Sequence, residues 1–258
     1  MRESGGNILK LENLVQDLSP TTKLYLRDHY LTEFSADVVR VEYERKNKIY
    51  LVLDSTLFHP KSGGQPSDTG IVRDSTSETC IDKVMSFHNV IIHWGTVKGE
   101  IGRKVSGRID WEKRYLYMRR HTAGHLLDHC LGRFSKVPVE TSESWLGDDC
   151  YVAYRGLAPS LQIVSEAIAL ENKMIDQGGE VFIEEYSREE LAKKAPNAPN
   201  LFRLPSLDRY RVVTIEGCEP IPCGGTHTRN IREIVGVKLI SVEQEGESFR
   251  IYYDVQTL

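Results

Sequence analysis

Residues 111–134 read WEKRYLYMRRHTAGHLLDHCLGRF, with Leu116, Ala123, Leu126, Leu127, Leu131 and Phe134 recurring at spacings near three and four. That repeat belongs to an α-helix with one apolar face. Upstream the repeat is different. From Thr22 to Gly107 the segments VVRVEYE, KIYLVLD, GIVRD, VIIHWGTV and KVSGRID are short, rich in Val, Ile, Tyr and Thr, and punctuated by Gly, Asn and Pro. They read as strands joined by turns. The period therefore switches from two to 3.6 just before Trp111, and a second domain is expected to begin there.

Beyond the helix, DCYVAYRG, EVFIEEYS, RVVTIEG, GVKLISVEQ and FRIYYDV read as strands. Pro159 opens a helix that Gly178-Gly179 ends, Ser187 opens the short helix SREELAKK, and Pro196, Pro199 and Pro205 mark a loop. Helices and mostly antiparallel strands in mixed order predict an α+β fold, with helices packed on a sheet. The expected organisation is an N-terminal extension over 1–21, frayed or a short helix, a small β-barrel over 22–107, and an α+β domain over 108–258.

Composition narrows the class. The 258 residues carry a formal charge of −4 and five cysteines, an odd number without the spacing of a disulfide framework. The N-terminus lacks an apolar leader, and no stretch approaches the roughly 18 to 20 apolar residues of a membrane span. A soluble, cytoplasmic protein is expected. An acidic whole-molecule field does not advertise a nucleic-acid binder, so any polyanion must be met locally. Between Arg103 and Arg120, seven basic residues face only Asp110 and Glu112. A solvated helix face would look the same.

Two segments carry chemistry. His121 and His125 stand four apart on the helix, so both imidazoles project from one face and reach one point. A hundred residues later Cys223-Gly-Gly-Thr-His227 follows a strand, and its two glycines permit a tight turn that brings a thiolate and an imidazole together. Three histidines and a cysteine suit zinc, one ion per chain, better than magnesium or calcium. A structural zinc and a catalytic one both remain open here, since four protein ligands close a tetrahedral shell. For a hydrolase, His121, His125 and Cys223 are the expected catalytic residues. A third segment, FHPKSGGQPSDTG at 58–70, offers Gly63, Gly64 and Gln65 as backbone and amide donors for a ligand, although a plain turn would look similar.

Taken in order, FHPKSGGQPSDTG, WEKRYLYMRRHTAGHLL and IPCGGTH resemble the AlaX family of alanyl-tRNA editing proteins, relatives of the editing domain of alanyl-tRNA synthetase, over roughly Thr22 to Leu258. The resemblance implies a barrel-like first domain, an editing domain shared with threonyl-tRNA synthetase, and zinc on His121, His125, Cys223 and His227. It implies hydrolysis of the ester in mischarged Ser-tRNA(Ala), with Gly-tRNA(Ala) as a further substrate, while Ala-tRNA(Ala) is spared. A synthetase pocket shaped for alanine cannot strongly reject an amino acid that only adds a hydroxyl, so a second site must remove the error. Thr141, Ser142 and Ser144 fall where the family's serine-sensing position is expected, with Thr141 and Ser142 leading. Gly63, Gly64 and Gln65 are expected over the aminoacyl adenosine, and Lys113, Arg114, Arg119 and Arg120 against phosphates of the tRNA(Ala) acceptor stem and 3′ end. Gly124 departs from the family, many of whose members place a polar side chain there.

Overall fold

The computed structural model describes residues 11–135, 140–196, 204 and 206–257. Residues 1–10, Pro199 and Pro205 lie outside them. Two compact units divide the chain, Met1–Ser62 with Pro66–Arg114, and Gly63–Gln65 with Tyr115–Leu258. The boundary thus falls inside the first long helix, and three residues of the glycine-rich segment belong with the second unit.

The first unit is a closed antiparallel barrel of β1 (Glu33–Tyr43), β2 (Lys48–Leu53), β3 (Gly70–Arg73), β4 (Glu78–Phe87), β5 (Val90–Lys98) and β6 (Lys104–Ile109), in the order β1-β2-β5-β4-β3-β6. β2 shows why its sequence is apolar without alternation. Ile49, Leu51 and Leu53 point into the barrel core with Leu57, Phe58 and Val72, while Tyr50 and Val52 pack outside with Leu14 and Val15. Leu14 and Val15 lie on a helical turn over 11–15. Arg40 fastens that turn by donating to the Leu14 carbonyl at 2.8 Å. A strand covered on both faces loses the period-two signal.

In the second unit, α1 (Trp111–Phe134), β7 (Thr141–Trp145), β8 (Tyr151–Arg155), α2 (Leu161–Gln177), β9 (Val181–Tyr186), α3 (Arg188–Lys194), β10 (Tyr210–Ile215), β11 (Ile221–Pro222), β12 (Val237–Glu245) and β13 (Ser248–Val255) follow in order. A four-stranded antiparallel sheet β12-β13-β8-β7 and a three-stranded sheet β9-β10-β11 result. The fold is α+β, as the mixed order of elements predicts. Leu126, Leu127 and Leu131 of α1 and Val164, Ala167 and Ile168 of α2 share one core with Val152, Ile251 and Tyr253 of the sheet. Ser160 caps α2, its hydroxyl accepting from the Ile163 amide, and Ser187 caps α3 in a reciprocal box with Glu190. No helix among the described residues is long and apolar enough to cross a membrane.

Gly124 has a packing reason. A Cβ there would lie 2.8 Å from the Tyr253 hydroxyl, which donates to the Arg120 carbonyl at 2.8 Å. The buried tyrosine occupies the space that a polar side chain would need.

Candidate metal centre

α1 carries His121 and His125 on one face, and the chain leaving β11 returns Cys223 and His227 to the same point. The four donor atoms lie within 4.8 Å of one another. Cys223 Sγ stands 3.3 Å from His121 Nε2 and 3.4 Å from His227 Nε2. Tetrahedral zinc, with bonds of about 2.3 Å to sulfur and about 2.0 Å to nitrogen, requires donors separated by roughly 3.5 Å. The donor set and its spacing are compatible with one zinc ion. His129, one turn further along the helix, is not among the four.

The surroundings fix which nitrogen of each ring faces the centre. Gln65 Oε1 accepts from the Thr226 amide at 3.0 Å, a group that can only donate, so this atom is the oxygen and the His121 Nδ1, 3.2 Å away, carries the proton. Gln65 Nε2 donates to the Thr226 hydroxyl at 2.9 Å. On the other side, the Thr122 hydroxyl donates to the Met118 carbonyl at 2.9 Å, so it accepts from His227 Nδ1 at 3.3 Å. Both rings therefore aim an unprotonated Nε2 inward, the form a metal takes. Burial, with help from the Arg211 charge, lowers His125 to about 4 and keeps it neutral too. Burial also pushes the Cys223 thiol up, opposed by the Gly225 amide and by Arg211.

Glycine is required beside these rings. A Cβ on Gly225 would collide with the His121 ring and lie 2.9 Å from Gln65 Oε1. A Cβ on Gly64, whose φ is +79°, would collide with Ser144. The Gly64 carbonyl accepts from the Leu146 amide at 3.0 Å. Gly63 and Gly224, in contrast, have open space where a Cβ would stand.

The structure assigns several expected contact residues other work. Gln65 is fully buried, with its amide bonded to His121 and Thr226, so it braces a donor of the candidate centre. Arg114, also fully buried, pairs with Asp68 and donates to the Leu57 carbonyl at 2.6 Å. Arg119 donates to the Glu233, Ile234 and Gln256 carbonyls. Arg120 pairs with Asp254 at 2.8 Å and donates to the Gly147 carbonyl at 2.6 Å. All three guanidinium groups thus have partners within the protein. Lys113 remains exposed and pairs with Asp110 at 3.3 Å.

Thr141, Ser142 and Ser144 stand on strand β7. Ser142 donates to the Ala153 carbonyl at 3.3 Å and Ser144 to the Gly63 carbonyl at 3.4 Å. Thr141 donates to Asp128 at 3.0 Å. Asp128, which the sequence reading passed over, sits three residues after His125. A helix stripe at positions i, i+4 and i+7 was the signal that could have found it.

Comparison with known proteins agrees with this architecture. Residues 8–113 match the family model for class II (A) tRNA synthetases, and residues 210–252 match the second additional domain of threonyl and alanyl tRNA synthetases. The chain is 34% identical over 244 residues to the alanyl-tRNA editing protein AlaX-M of Methanosarcina barkeri, covering 90% of this chain and 98% of that one. It is 32% identical over 231 residues to AlaX-L of Pyrococcus horikoshii, covering 88% of this chain and 55% of that one. It is also 31% identical over 238 residues to the alanine–tRNA ligase of Ignicoccus hospitalis, covering 87% of this chain and 25% of that one. By identity and by coverage, the chain belongs to the AlaX family of alanyl-tRNA editing proteins.

Proposed function

We propose that this protein is a cytoplasmic, zinc-dependent aminoacyl-tRNA deacylase that hydrolyses the ester of Ser-tRNA(Ala), takes Gly-tRNA(Ala) as a second substrate, and spares Ala-tRNA(Ala). The observation that carries this reading is the convergence of His121, His125, Cys223 and His227 from two distant segments in a chain of this family. When bound, zinc supplies positive charge that polarises the ester carbonyl and stabilises the negative charge developing on its oxygen. Gln65 and Thr122 hold two of the ligand rings in the required tautomer. Gly63 and Gly224 leave room for the 3′-terminal adenosine and its amino acid to approach. Hydroxyl groups on β7 meet the serine side chain, and Lys113 contributes a phosphate contact on the acceptor stem.

The test is deacylation of Ser-tRNA(Ala), Gly-tRNA(Ala) and Ala-tRNA(Ala) by the purified protein and by Cys223→Ala. Release of serine, lost in the variant while the fold persists, is expected. A wild-type protein that leaves the serine ester intact sinks the proposal. A Cys223→Ala variant that unfolds assigns the centre a structural role instead.

A further inference from the structure

Metal donors need a rigid frame, and the segment that carries Cys223 supplies little of its own. β11, the strand that leads into it, is two residues long, and one of them is Pro222, which has no N–H to give to a ladder. Gly224 and Gly225 follow, the residue type with the most conformational freedom to lose on folding. A cysteine set between a proline-ended strand and two glycines has to be held from outside its own segment.

The far end of the turn is fastened in that way. The Thr226 amide donates to Gln65 Oε1 at 3.0 Å and the Thr228 amide to the Thr122 hydroxyl at 3.1 Å, one on each side of His227. The near end is held by one residue of β10. The Cys223 amide donates to the Arg211 carbonyl at 3.1 Å, which continues the antiparallel register of Val213 with Ile221 and Val212 with Pro222 by one more pair. The Arg211 guanidinium then donates from Nη1 to the Cys223 carbonyl at 2.6 Å, a hydrogen bond of the stronger, charge-assisted kind. Both main-chain groups of Cys223 are thus bonded to the same residue. The positive charge of Arg211 acts on His125 and on Cys223, which places it beside the centre. A cation there repels a metal ion, so charge alone argues against arginine at this position, and the grip on Cys223 supplies the reason for it.

Resting on the zinc centre of the deacylase reading, we infer that Arg211 is a positioning residue that holds Cys223 by its main chain, so that the sulfur meets the three histidines. Arg211 takes no place in the donor set itself. With the Cys223 end gripped by Arg211 and the His227 end by Gln65 and Thr122, Gly224 is left between them with open space where a Cβ would stand. Rigidity for the donors and access for a substrate are divided between neighbouring residues of one turn.

The experiment measures zinc affinity by chelator competition, and the absorption spectrum at saturating cobalt(II), for wild type, Arg211→Met, Arg211→Lys, Cys223→Ala and Arg211→Met combined with Cys223→Ala. The melting temperature of each metal-free protein is recorded alongside. Arg211→Met should bind zinc about 10- to 100-fold more weakly and lose intensity in the sulfur-to-cobalt charge-transfer band, and Arg211→Lys, which keeps a charged donor, should lose less. In the Cys223→Ala background the same substitution should cost little more, because Arg211 acts through Cys223. Unchanged or tighter zinc binding in Arg211→Met, or an equal loss with and without Cys223, overturns the inference while leaving the deacylase reading intact. Should Cys223→Ala not fold, the cobalt spectrum decides: an unaltered charge-transfer band in Arg211→Met overturns the inference, and a weakened one supports it. A wild-type protein that binds neither metal removes the inference together with the zinc dependence on which it rests.

Discussion

The amide oxygen of Gln65 lies 3.2 Å from His121 Nδ1 and 3.0 Å from the Thr226 main-chain nitrogen, so one side chain of the glycine-rich segment joins the histidine pair to the cysteine-histidine turn. Outer partners of this kind typically contribute 10- to 100-fold to metal affinity. Gln65→Ala should weaken zinc binding by about that factor, and Thr122→Val should act in the same direction through His227. Competition against a chromophoric chelator measures it. Wild-type affinity in both variants would show that the rings need no help from outside the centre.

Arg114 and Asp68 form an ion pair that is essentially shut off from solvent. Removing one partner strands the other charge, at a cost of about 3 to 5 kcal/mol. Arg114→Met should lower unfolding stability in urea by that amount, whereas Arg114→Met combined with Asp68→Leu should recover much of the loss. A residue that served only to bind phosphate would leave stability unchanged and reduce the salt dependence of tRNA binding.

Glu171 is fully buried on α2, and neither of its carboxylate oxygens has a hydrogen-bond partner among the described residues. Burial raises its pKa well above the usual carboxylate value, with the nearby Asp128 charge adding to the effect. The folded state therefore keeps a proton that the unfolded chain gives up, and this residue's contribution to stability is lost progressively as pH rises above about 4.5. Glu171→Met should stabilise the protein by about 1 to 3 kcal/mol at pH 8 and by less at pH 5. Urea midpoints of the two proteins at both pH values decide it. A difference that is independent of pH would mean that Glu171 is equally protonated in the two states.

How much of this was legible in the sequence depended on how strongly each element obeys its own period. α1 was readable from end to end because the leucine spacing and the HxxxH pair agree. β4 was missed. Its exposure alternates only as far as Ile81, where a bulge opposite Gly95 and Trp94 places Asp82 and Lys83 in succession on the surface. β7, with the sequence TSESW, has too little apolar character to register as a strand, and its existence comes from pairing with β8. The four donors of the centre were visible because metal chemistry restricts residue type and spacing. Asp128 and Thr122 were not, and Gln65 stood out only as a ligand contact and not as a partner of His121, because an amide, a carboxylate or a hydroxyl becomes informative only once its partner is known. The internal partners of the three arginines were hidden for a related reason: arginine is usually exposed, and a sequence does not reveal which ones find carboxylates and carbonyls within the fold.

The union of Gln65 with Thr226 also orders events during synthesis. These residues are 161 positions apart, and at about 5 to 20 residues per second the ribosome needs on the order of ten to thirty seconds to make the second after the first. β1 and β2 are already made when Gln65 is added, and the other four barrel strands are made after it and before His121. The amide that orients His121 is thus made well before the turn that completes its hydrogen bonds. None of the four candidate donors belongs to the barrel strands, and the four can come together only once His227 is made, when nearly nine-tenths of the sequence has left the peptidyl transferase centre.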